Sequence, residues 1–357
     1  MKNPLLWLAV LVVIVGGWLT LSDKKITPSE EREIVIGQLT NVTGFGSSWG
    51  VGEEKAVALR VKELRADGLN IRLISEDCAS DIPKCVSAAQ KLISIDKVVA
   101  IIGPQWTEWF EAVAPIAKEA KVAMISPSGL SDMSYQPYVF SLGVSYEGWA
   151  KQELKFAKDR NMKKAIVITT ANAFMDKVTE NVKKLASGYG VVIVDDVHIA
   201  NPDEKDFRTV IAKIKAQKPD SIVVNLVQPQ AIPFIKKAKE QGIKALIVYP
   251  GGQTINETTI PILTGTYMVD FTMSDAMSAK FKEAYGSTDE VAPSTQTAYD
   301  AMSLVGAAIK AGAKTSDEIA NSIRAVKDYA GLTGTINFDG SGYAAWGDGV
   351  FVVKEIK

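Results

Sequence analysis

Short apolar runs alternate with segments of helical periodicity along most of this chain. Eight runs are rich in β-branched residues and are bounded by Gly, Pro, Asp or Asn, which is typical of strands buried on both faces. Between them apolar residues recur at helical spacing, as in residues 207–214 and 319–326. The alternation predicts an α/β fold with parallel sheets and right-handed crossovers, and periodicity alone fits one barrel or two open sheets. The eight runs are EIVIGQL (33–39), NIRLIS (70–75), KVVAIIG (97–103), VAMISP (122–127), KAIVITT (164–170), GVVIVDD (190–196), DSIVVNL (220–226) and KALIVYP (244–250).

The first 25 residues have a different pattern, with no charge and no polar periodicity from Leu5 to Leu21. This run is longer than a usual secretory core, lacks an A-x-A cleavage site and carries Trp7 and Trp18 near its ends. An uncleaved membrane anchor is favoured, followed by a polar tether over 26–33. A signal peptide cut after Ser22 is the alternative, and a buried core helix is the least favoured reading. Both leading interpretations place the remaining chain outside the cytoplasm, and a lipoprotein anchor is excluded because no cysteine follows the run.

Composition excludes several classes of function. The chain has 357 residues with 40 basic and 41 acidic groups, which suits about two globular domains. No basic run follows residue 30, so nucleic acid is not an expected partner. The lone His198, at an expected solvated strand exit, gives no basis for a histidine-based triad or metal site. There is also no GxSxG, P-loop or dinucleotide fingerprint, so we expect no catalysis, cofactor or metal.

The two cysteines lie close together in SEDCASDIPKCVSAAQKL, as Cys78 and Cys85. Outside the cytoplasm thiols tend to oxidise, so a local disulfide is the favoured interpretation. The spacing matches no zinc pattern. Two unpaired, buried thiols remain the alternative.

Six blocks in order give the chain a family resemblance. They are residues 26–64, SEDCASDIPKCVSAAQKLI, VVAIIGP with VAMISPS, EKDFRTVIAKIKAQKPDSIVV, AYDAMSLVGAAIKAG and GLTGTINFDGSG. This series resembles the branched-chain amino-acid-binding proteins of ABC importers, colinearly from about Glu33 to the last residues. The resemblance implies a type I periplasmic-binding-protein fold, with two Rossmann-like α/β lobes joined by three crossing strands. It places lobe 1 at 34–144 plus 272–332 and lobe 2 at 145–271 plus 333–357, with crossings near Val144, Phe271 and Thr333.

The same resemblance implies a ligand site between the lobes, at the tip that follows VVAIIGP. A helix starting there presents free backbone N–H groups, which suit a carboxylate, and Thr107 matches the family hydroxyl that holds it. Trp106 and Trp109 are expected to form an apolar wall, although both rings could instead pack in the core. The other positions matched are Trp49 and Phe174, which would cover the ligand from either lobe, Ser128 and Gly129, where Leu130 follows in place of the usual threonine, and Gln228.

One departure concerns the ligand's charge. Where the family has a glutamate for the ligand ammonium, this chain has Gly251 in YPGGQT. A buried ammonium without a carboxylate partner is costly. Either another acid substitutes, with Glu147 and Asp300 as candidates, or the ligand has no ammonium.

The favoured function is therefore an extracytoplasmic solute-binding component that hands a small carboxylate-bearing molecule to an ABC permease. Its soluble part is expected to be monomeric. A ligand-sensing receptor of the same fold, acting on a membrane partner, is the alternative. An enzyme is the least favoured class, because the sequence offers no nucleophile with a base.

Overall fold

The computed structural model describes residues 33–129, 137–143, 146–201, 204–226, 229–251, 255–338, 340–346 and 350–357. The chain divides into two units, Met1–Glu33 and Ile34–Lys357, and the description below is of the second. The expected anchor, Leu5–Leu21, and the tether up to residue 32 lie outside the described residues. Among the residues described, no helix is long and apolar enough to cross a membrane.

The first lobe is built on a five-stranded parallel sheet with the order β2-β1-β3-β4-β5. Its helices lie on both faces. One core cluster joins Ile36 and Ile102 to α10, and another packs Leu92 and Phe110 against the opposite face. The elements are β1 Ile34–Thr40, α1 Ser47–Ala66, β2 Ile71–Asp77, α2 Ile82–Ser94, β3 Ala100–Ile102, α3 Thr107–Glu119, β4 Ala123–Ser126 and β5 Val139–Ser141, with α9 Asp275–Tyr285, α10 Pro293–Lys310 and α11 Ser316–Arg324 added later in the chain.

The second lobe is built on a six-stranded sheet with the order β14-β10-β9-β8-β6-β7. All neighbouring pairs are parallel except β10 with β14, which is antiparallel. Core clusters cover both faces, one around Phe234 and the other around Trp149. The elements are α4 Tyr146–Asp159, β6 Lys164–Thr170, α5 Ala173–Leu185, a 3-10 turn Ala186–Tyr189, β7 Val192–Ile199, α6 Arg208–Gln217, β8 Ser221–Asn225, α7 Ala231–Glu240, β9 Leu246–Pro250, α8 Ile260–Leu263, β10 Tyr267–Phe271 and β14 Phe351–Glu355.

A small antiparallel sheet completes the fold, with β11 Tyr329–Ala330, β12 Thr335–Phe338 and β13 Ala344–Trp346 in that order. Ile336 and Phe338 belong to the same core cluster as Ile36 of the first sheet. After β13 the chain returns to the second sheet as β14, which begins at Phe351. The lobe boundaries stay a prediction, but this packing favours a last crossing after Trp346 rather than near Thr333. The expected crossing at Val144 lies outside the described residues.

All eight predicted strands are present, and the two helical patterns correspond to α6 and α11. They form two open sheets rather than one barrel. The prediction that the strands are buried on both faces is wrong for β2 and β7, which are partly exposed along their lengths. Both are edge strands, so one side of each lacks a neighbouring strand to cover it.

Candidate ligand site between the lobes

The turn from β3 into α3 has an unusual backbone. Gly103 has φ +88°, and a Cβ there would stand 2.2 Å from the carbonyl oxygen of Leu39, so only glycine fits. Trp106 holds the N-cap position with φ 76° and ψ 132°, a conformation that L-residues rarely adopt. Such strain persists where the surroundings impose it, and it often marks a functional site.

The amino-terminal end of α3 is also uncapped. Most helices begin with Ser, Thr, Asp or Asn, whose side chain accepts a hydrogen bond from a free N–H of the first turn. In α5, for example, the Asn172 side chain accepts from the Met175 N–H at 3.1 Å. Trp106 makes no such bond in α3. The start of α3 therefore presents the positive end of the helix dipole and N–H groups without a side-chain cap, a feature that it shares with α1, α6, α7, α8 and α9.

Four aromatic rings form a cluster around this turn, which we call the first aromatic cluster. The Trp106 ring lies 5.2 Å from Trp49, 5.4 Å from Phe45 and 6.2 Å from Trp109, centroid to centroid. Trp109 is 7% exposed and belongs to the core cluster around Phe110, whereas Trp106 is only half-buried against that core. Trp106 is thus the ring that extends from core to surface.

Phe45 was missed by the sequence reasoning, although its place between Gly44 and Gly46 marked an aromatic side chain in a loop. It is 62% exposed. Asp77 fixes the loop, since its carboxylate accepts from the Val42 N–H at 3.0 Å and from the Thr43 hydroxyl at 2.5 Å.

The next residues tie this loop to the cysteines. The Ser80 hydroxyl accepts from the Gly46 N–H at 2.9 Å and donates to the Thr43 carbonyl at 3.0 Å. Cys78 and Cys85 are joined as a disulfide and are fully buried. The segment that holds Phe45 in place is therefore the one that the disulfide closes.

The segment that follows β4 meets α3 at Thr107. The buried Thr107 hydroxyl donates to the Gly129 carbonyl at 3.0 Å. The Ser128 N–H donates to the Ser126 hydroxyl at 2.9 Å, and its carbonyl accepts from the Ser141 hydroxyl at 2.7 Å. The Ser128 main chain is thus already bonded within the lobe, which leaves its half-buried side chain as the ligand contact to test.

In the second lobe, Phe174 opens the first turn of α5 and contacts two aromatic residues of α4. Its ring is 5.1 Å from Tyr146 and 5.8 Å from Trp149. The Trp149 ring also contacts Phe271 of β10 at 5.7 Å and Phe351 of the edge strand β14 at 5.6 Å. We call these five residues the second aromatic cluster. Tyr146 and Trp149 follow the expected crossing, and nothing in their spacing distinguishes them from core residues.

The two lobes meet next to these clusters. Glu108, in the first turn of α3, accepts a hydrogen bond from the Asn172 side chain at 3.1 Å and from the Ala173 N–H at 3.3 Å. The neighbours of these bonded residues are Thr107 on one side and Phe174 on the other. The helix starts that carry the predicted ligand residues therefore face each other.

Several buried polar atoms at this meeting point lack hydrogen-bond partners within the described part of the chain. They are Nε1 of Trp106, Nε1 of Trp109, Oη of Tyr146 and Oε1 of Gln105. Burial raises the pKa of the Tyr146 phenol, and the nearby Tyr343 adds to the rise, so the phenol keeps its proton. Thr107 and Tyr343 act on the phenol electrostatically without hydrogen-bond geometry. Unpaired buried donors cost free energy unless a partner arrives.

The two candidate ammonium partners are engaged elsewhere. Glu147 is exposed, and its Oε1 lies 2.7 Å from the Lys151 Nζ, which lowers the pKa of the Glu147 carboxyl. Asp300 is buried and accepts from the backbone N–H groups of Leu332 and Thr333, both at 2.8 Å. Burial raises the pKa of the Asp300 carboxyl against the effect of these bonds. Both side chains have structural partners.

Position 251 has no room for a side chain. A Cβ at Gly251 would stand 2.5 Å from Oδ1 of Asp270. That oxygen accepts from the Phe271 N–H at 2.9 Å, and the other carboxylate oxygen lies 3.4 Å from the Lys354 Nζ. Gln228, the remaining predicted contact, lies outside the described residues. His198 is half-exposed, with Nε2 3.0 Å from Oδ1 of Asp176.

Comparison with known proteins bears on the family and the fold of the chain. The family described as periplasmic binding protein matches residues 33–353. A Leu/Ile/Val-binding protein homolog of Brucella abortus is 24% identical over 333 residues, which are 87% of either chain.

Two solved structures share the fold. The branched-chain amino acid transporter substrate-binding protein LivJ of Streptococcus pneumoniae, in complex with isoleucine, has a TM-score of 0.76 and 26% identity, and covers 88% of this chain and 94% of its own. A solute-binding protein of an ABC transporter from Rhodopseudomonas palustris, in complex with benzoate, has a TM-score of 0.76 and 22% identity, covering 91% and 94%. These proteins bind small molecules and are not enzymes. With two open α/β lobes that meet at opposed helix starts, and with the family match over most of its length, the chain belongs to the periplasmic binding protein family.

Proposed function

We propose that this protein is the extracytoplasmic solute-binding component of an ABC importer and that its lobes close on a small carboxylate-bearing ligand. One observation carries the proposal. The uncapped amino-terminal end of α3, with the Thr107 hydroxyl, lies beside buried donors without partners and beside the first aromatic cluster. Free N–H groups suit a carboxylate, and aromatic rings suit an apolar body.

The ligand residues follow from this arrangement. On binding, the Thr107 hydroxyl would turn away from the Gly129 carbonyl, to which it donates at 3.0 Å, and would hold the carboxylate together with the first N–H groups of α3. Trp106 and Trp49 would cover the body from the first lobe. Phe174 would cover it from the second lobe, where Tyr146 and Trp149 support its ring. Ser128 and Gly129 would line the site beside Thr107, because the Thr107 hydroxyl donates to the Gly129 carbonyl.

The related proteins support the same ligand class. LivJ was solved with isoleucine and the R. palustris protein with benzoate, both of which carry one carboxylate and an apolar body. The proposed location follows from the family, whose members act outside the cytoplasm. An anchor over Leu5–Leu21 would keep the protein at its permease, and the Cys78–Cys85 disulfide would suit an oxidising compartment.

A thermal-shift screen of the full chain, purified in detergent, against amino acids, aromatic acids and short aliphatic acids tests the proposal. A ligand at a hundredfold excess over its Kd stabilises by about 2.7 kcal/mol, which raises the Tm by several degrees. If no carboxylate raises the Tm, the proposed function fails. Ligand-dependent stimulation of ATP hydrolysis by the reconstituted permease then separates an importer component from a sensor.

A further inference from the structure

Around Thr107, several buried polar atoms have no hydrogen-bond partner in the part of the chain that the structure describes, whereas most of the neighbouring carboxylates do. In the described residues, the buried atoms without partners around Thr107 include three that carry hydrogen, namely the indole N–H groups of Trp106 and Trp109 and the phenol of Tyr146. Trp109 is 7% exposed and Tyr146 is 8% exposed, so bulk water cannot serve them. The Oε1 of Gln105 is a fourth buried atom without a partner among the described residues, and it is an acceptor.

The carboxylates near the site, in contrast, are occupied. Glu108 accepts from Asn172 and Ala173. Glu111, one turn further along α3, interacts with Lys177 across the lobe contact. Asp270, which fills the space at position 251, bonds to the Phe271 N–H and faces Lys354.

The remaining acids are also engaged or repelled. Glu147 is paired with Lys151, and Asp300 with two backbone N–H groups. Glu54 of α1 lies beside Asp77, whose hydrogen bonds hold the Phe45 loop, and burial together with that neighbouring charge raises the pKa of the Glu54 carboxyl. Glu147 and Asp300 thus have partners of their own, whereas Glu54 has an acidic neighbour and no hydrogen bond within the described part of the chain.

A ligand binds where its donors and acceptors pair with groups of the site that have no partner. Here the indole N–H groups of Trp106 and Trp109 lack acceptors among the described side chains. Glu53 and Glu153 each have an oxygen without a partner in the described residues, but both are buried and a pKa of about 8 keeps them protonated at neutral pH. A buried ammonium without a carboxylate carries a large desolvation penalty, whereas a carboxylate accepting from an uncapped helix and from indole N–H groups gains charge-assisted hydrogen bonds.

We propose that the ligand is an organic acid without an amino group, with one carboxylate and an aromatic or branched aliphatic body. This inference rests on the proposed function and narrows its ligand class. The carboxylate would cap α3 at Thr107 and accept from the indole N–H of Trp106. The body would lie between Trp49, Trp106 and Phe174, where no charge is required.

Matched pairs that differ only in the α-ammonium test the inference directly. The probes are 4-methylpentanoate against leucine and 3-phenylpropanoate against phenylalanine, with benzoate added, each titrated calorimetrically into the full chain. We expect the acid of at least one pair to bind at least tenfold more tightly than its amino acid. If the amino acid binds more tightly in every pair that binds, the inference is overturned while the proposed function stands. If no probe binds, the proposed carboxylate site falls with it.

A substitution at Trp106 tests the proposed hydrogen bond without disturbing the fold. Trp106→Phe retains a ring against Trp49 but removes the indole N–H, and its empty form should melt close to the wild type because Trp106 is only half-buried. We expect a three- to tenfold loss of affinity for the acid that the wild type prefers. Unchanged affinity, with an unchanged melting temperature, would contradict the hydrogen bond that the inference assigns to Trp106.

Discussion

Glu108 of the first lobe is hydrogen-bonded to Asn172 of the second, with Oε1 of Glu108 3.1 Å from Nδ2 of Asn172. The same oxygen accepts from the Ala173 N–H at 3.3 Å, so the carboxylate lies at the amino-terminal end of α5, where the helix dipole favours negative charge. Asn172 also caps α5 through its own oxygen. One side chain thus ties the closure of the lobes to the start of the helix that carries Phe174.

We predict that Glu108→Ala weakens the closed state. Removing a hydrogen bond to a charged acceptor costs about 1.5–3 kcal/mol when buried, and the partial exposure of Glu108 brings this towards about 1 kcal/mol. Ligand affinity should fall by roughly fivefold. Small-angle X-ray scattering should show a larger radius of gyration for the empty variant.

Glu119→Gln, at the exposed far end of the same helix, is the matched control and should change neither quantity. Equal scattering curves and equal affinities for Glu108→Ala and the control would remove Glu108 from any role in closure.

Two buried carboxyls should make the stability depend on pH. Burial raises the pKa of Glu153 and of Glu53 to about 8, from an ordinary value of 4.5. Between these values the folded protein binds protons that the unfolded chain has released, so the free energy of unfolding falls as the pH rises from about 4.5 to 8. Above the folded pKa the loss is complete.

The corresponding variants are Glu153→Gln and Glu53→Gln. Each should flatten this pH dependence, and each should raise the Tm at pH 8 more than at pH 5. Calorimetric melting at four or five pH values measures the effect. A variant that loses stability equally at all pH values would show that its carboxyl is ionised and paired in the folded state.

Much of the fold could be read from the sequence because its strands are long apolar runs with clear ends. The runs at 33–39 and 164–170, for instance, became β1 and β6 with almost the predicted bounds. β5 has only three residues, too few to show a period, and β12 packs with the first lobe through contacts distant in sequence. Burial of edge strands was misjudged because an apolar run does not reveal which strand lies at the edge.

The site was only partly accessible to the same reasoning. Thr107 starts α3 and Gly129 follows β4, and the structure joins them by a hydrogen bond. The family resemblance named both as ligand contacts, which stays a prediction. Phe45, Tyr146 and Trp149 enter through tertiary packing, which leaves no period in the sequence. Glu147 is paired with Lys151, which is near in sequence, and Asp300 accepts from Thr333, which is far away in sequence. Residue types alone do not reveal such partners, so the sequence could not show whether either carboxylate was available to a ligand.

Reduction of the disulfide should affect both stability and binding. Cys78 and Cys85 are seven positions apart, and opening so small a loop should cost about 2–3 kcal/mol in the chain-entropy model. The opened segment carries Ser80, which bonds to Gly46 and Thr43 beside Phe45.

We therefore expect the reduced protein to melt several degrees lower and to bind its ligand more weakly. Cys78→Ser with Cys85→Ser should reproduce both effects without a reductant. The bond is checked by alkylating the native protein without prior reduction and measuring its mass. Complete alkylation would show that the thiols are free and would refute this prediction.

The amino-terminal segment should remain on the mature protein. Leu5–Leu21 is long for a signal-peptide core, has tryptophan near both ends and lacks a clear cleavage site. The protein should fractionate with membranes and resist extraction by salt or alkali. Amino-terminal sequencing that begins near Asp23 would instead establish a cleaved, freely diffusing form. A replacement of residues 1–25 by a cleavable signal is the control, and it should release the protein without altering ligand affinity.

Substitutions of Thr107, Trp106 and Trp109 distinguish residues that contact the ligand from residues of the core. Thr107→Ala removes one hydrogen bond to a charged carboxylate, which should cost roughly 1.5–3 kcal/mol, or about ten- to a hundredfold in affinity, while Thr107→Ser should retain most of it.

The tryptophans then provide a matched pair on one helix. Trp106→Ala should weaken binding through lost apolar contact, with a small change in the melting of the empty protein, because the ring is half-buried. Trp109→Ala should do the reverse. Its ring is 7% exposed among Phe110 and Val113, so the truncation leaves a cavity and should cost about 3–5 kcal/mol of folding free energy. Denaturant melts of the empty variants and titrations with the ligand found in the screen measure both quantities. If Thr107→Ala binds as tightly as the wild type and Trp106→Ala loses as much stability as Trp109→Ala, both residues belong to the core and the ligand must be held elsewhere.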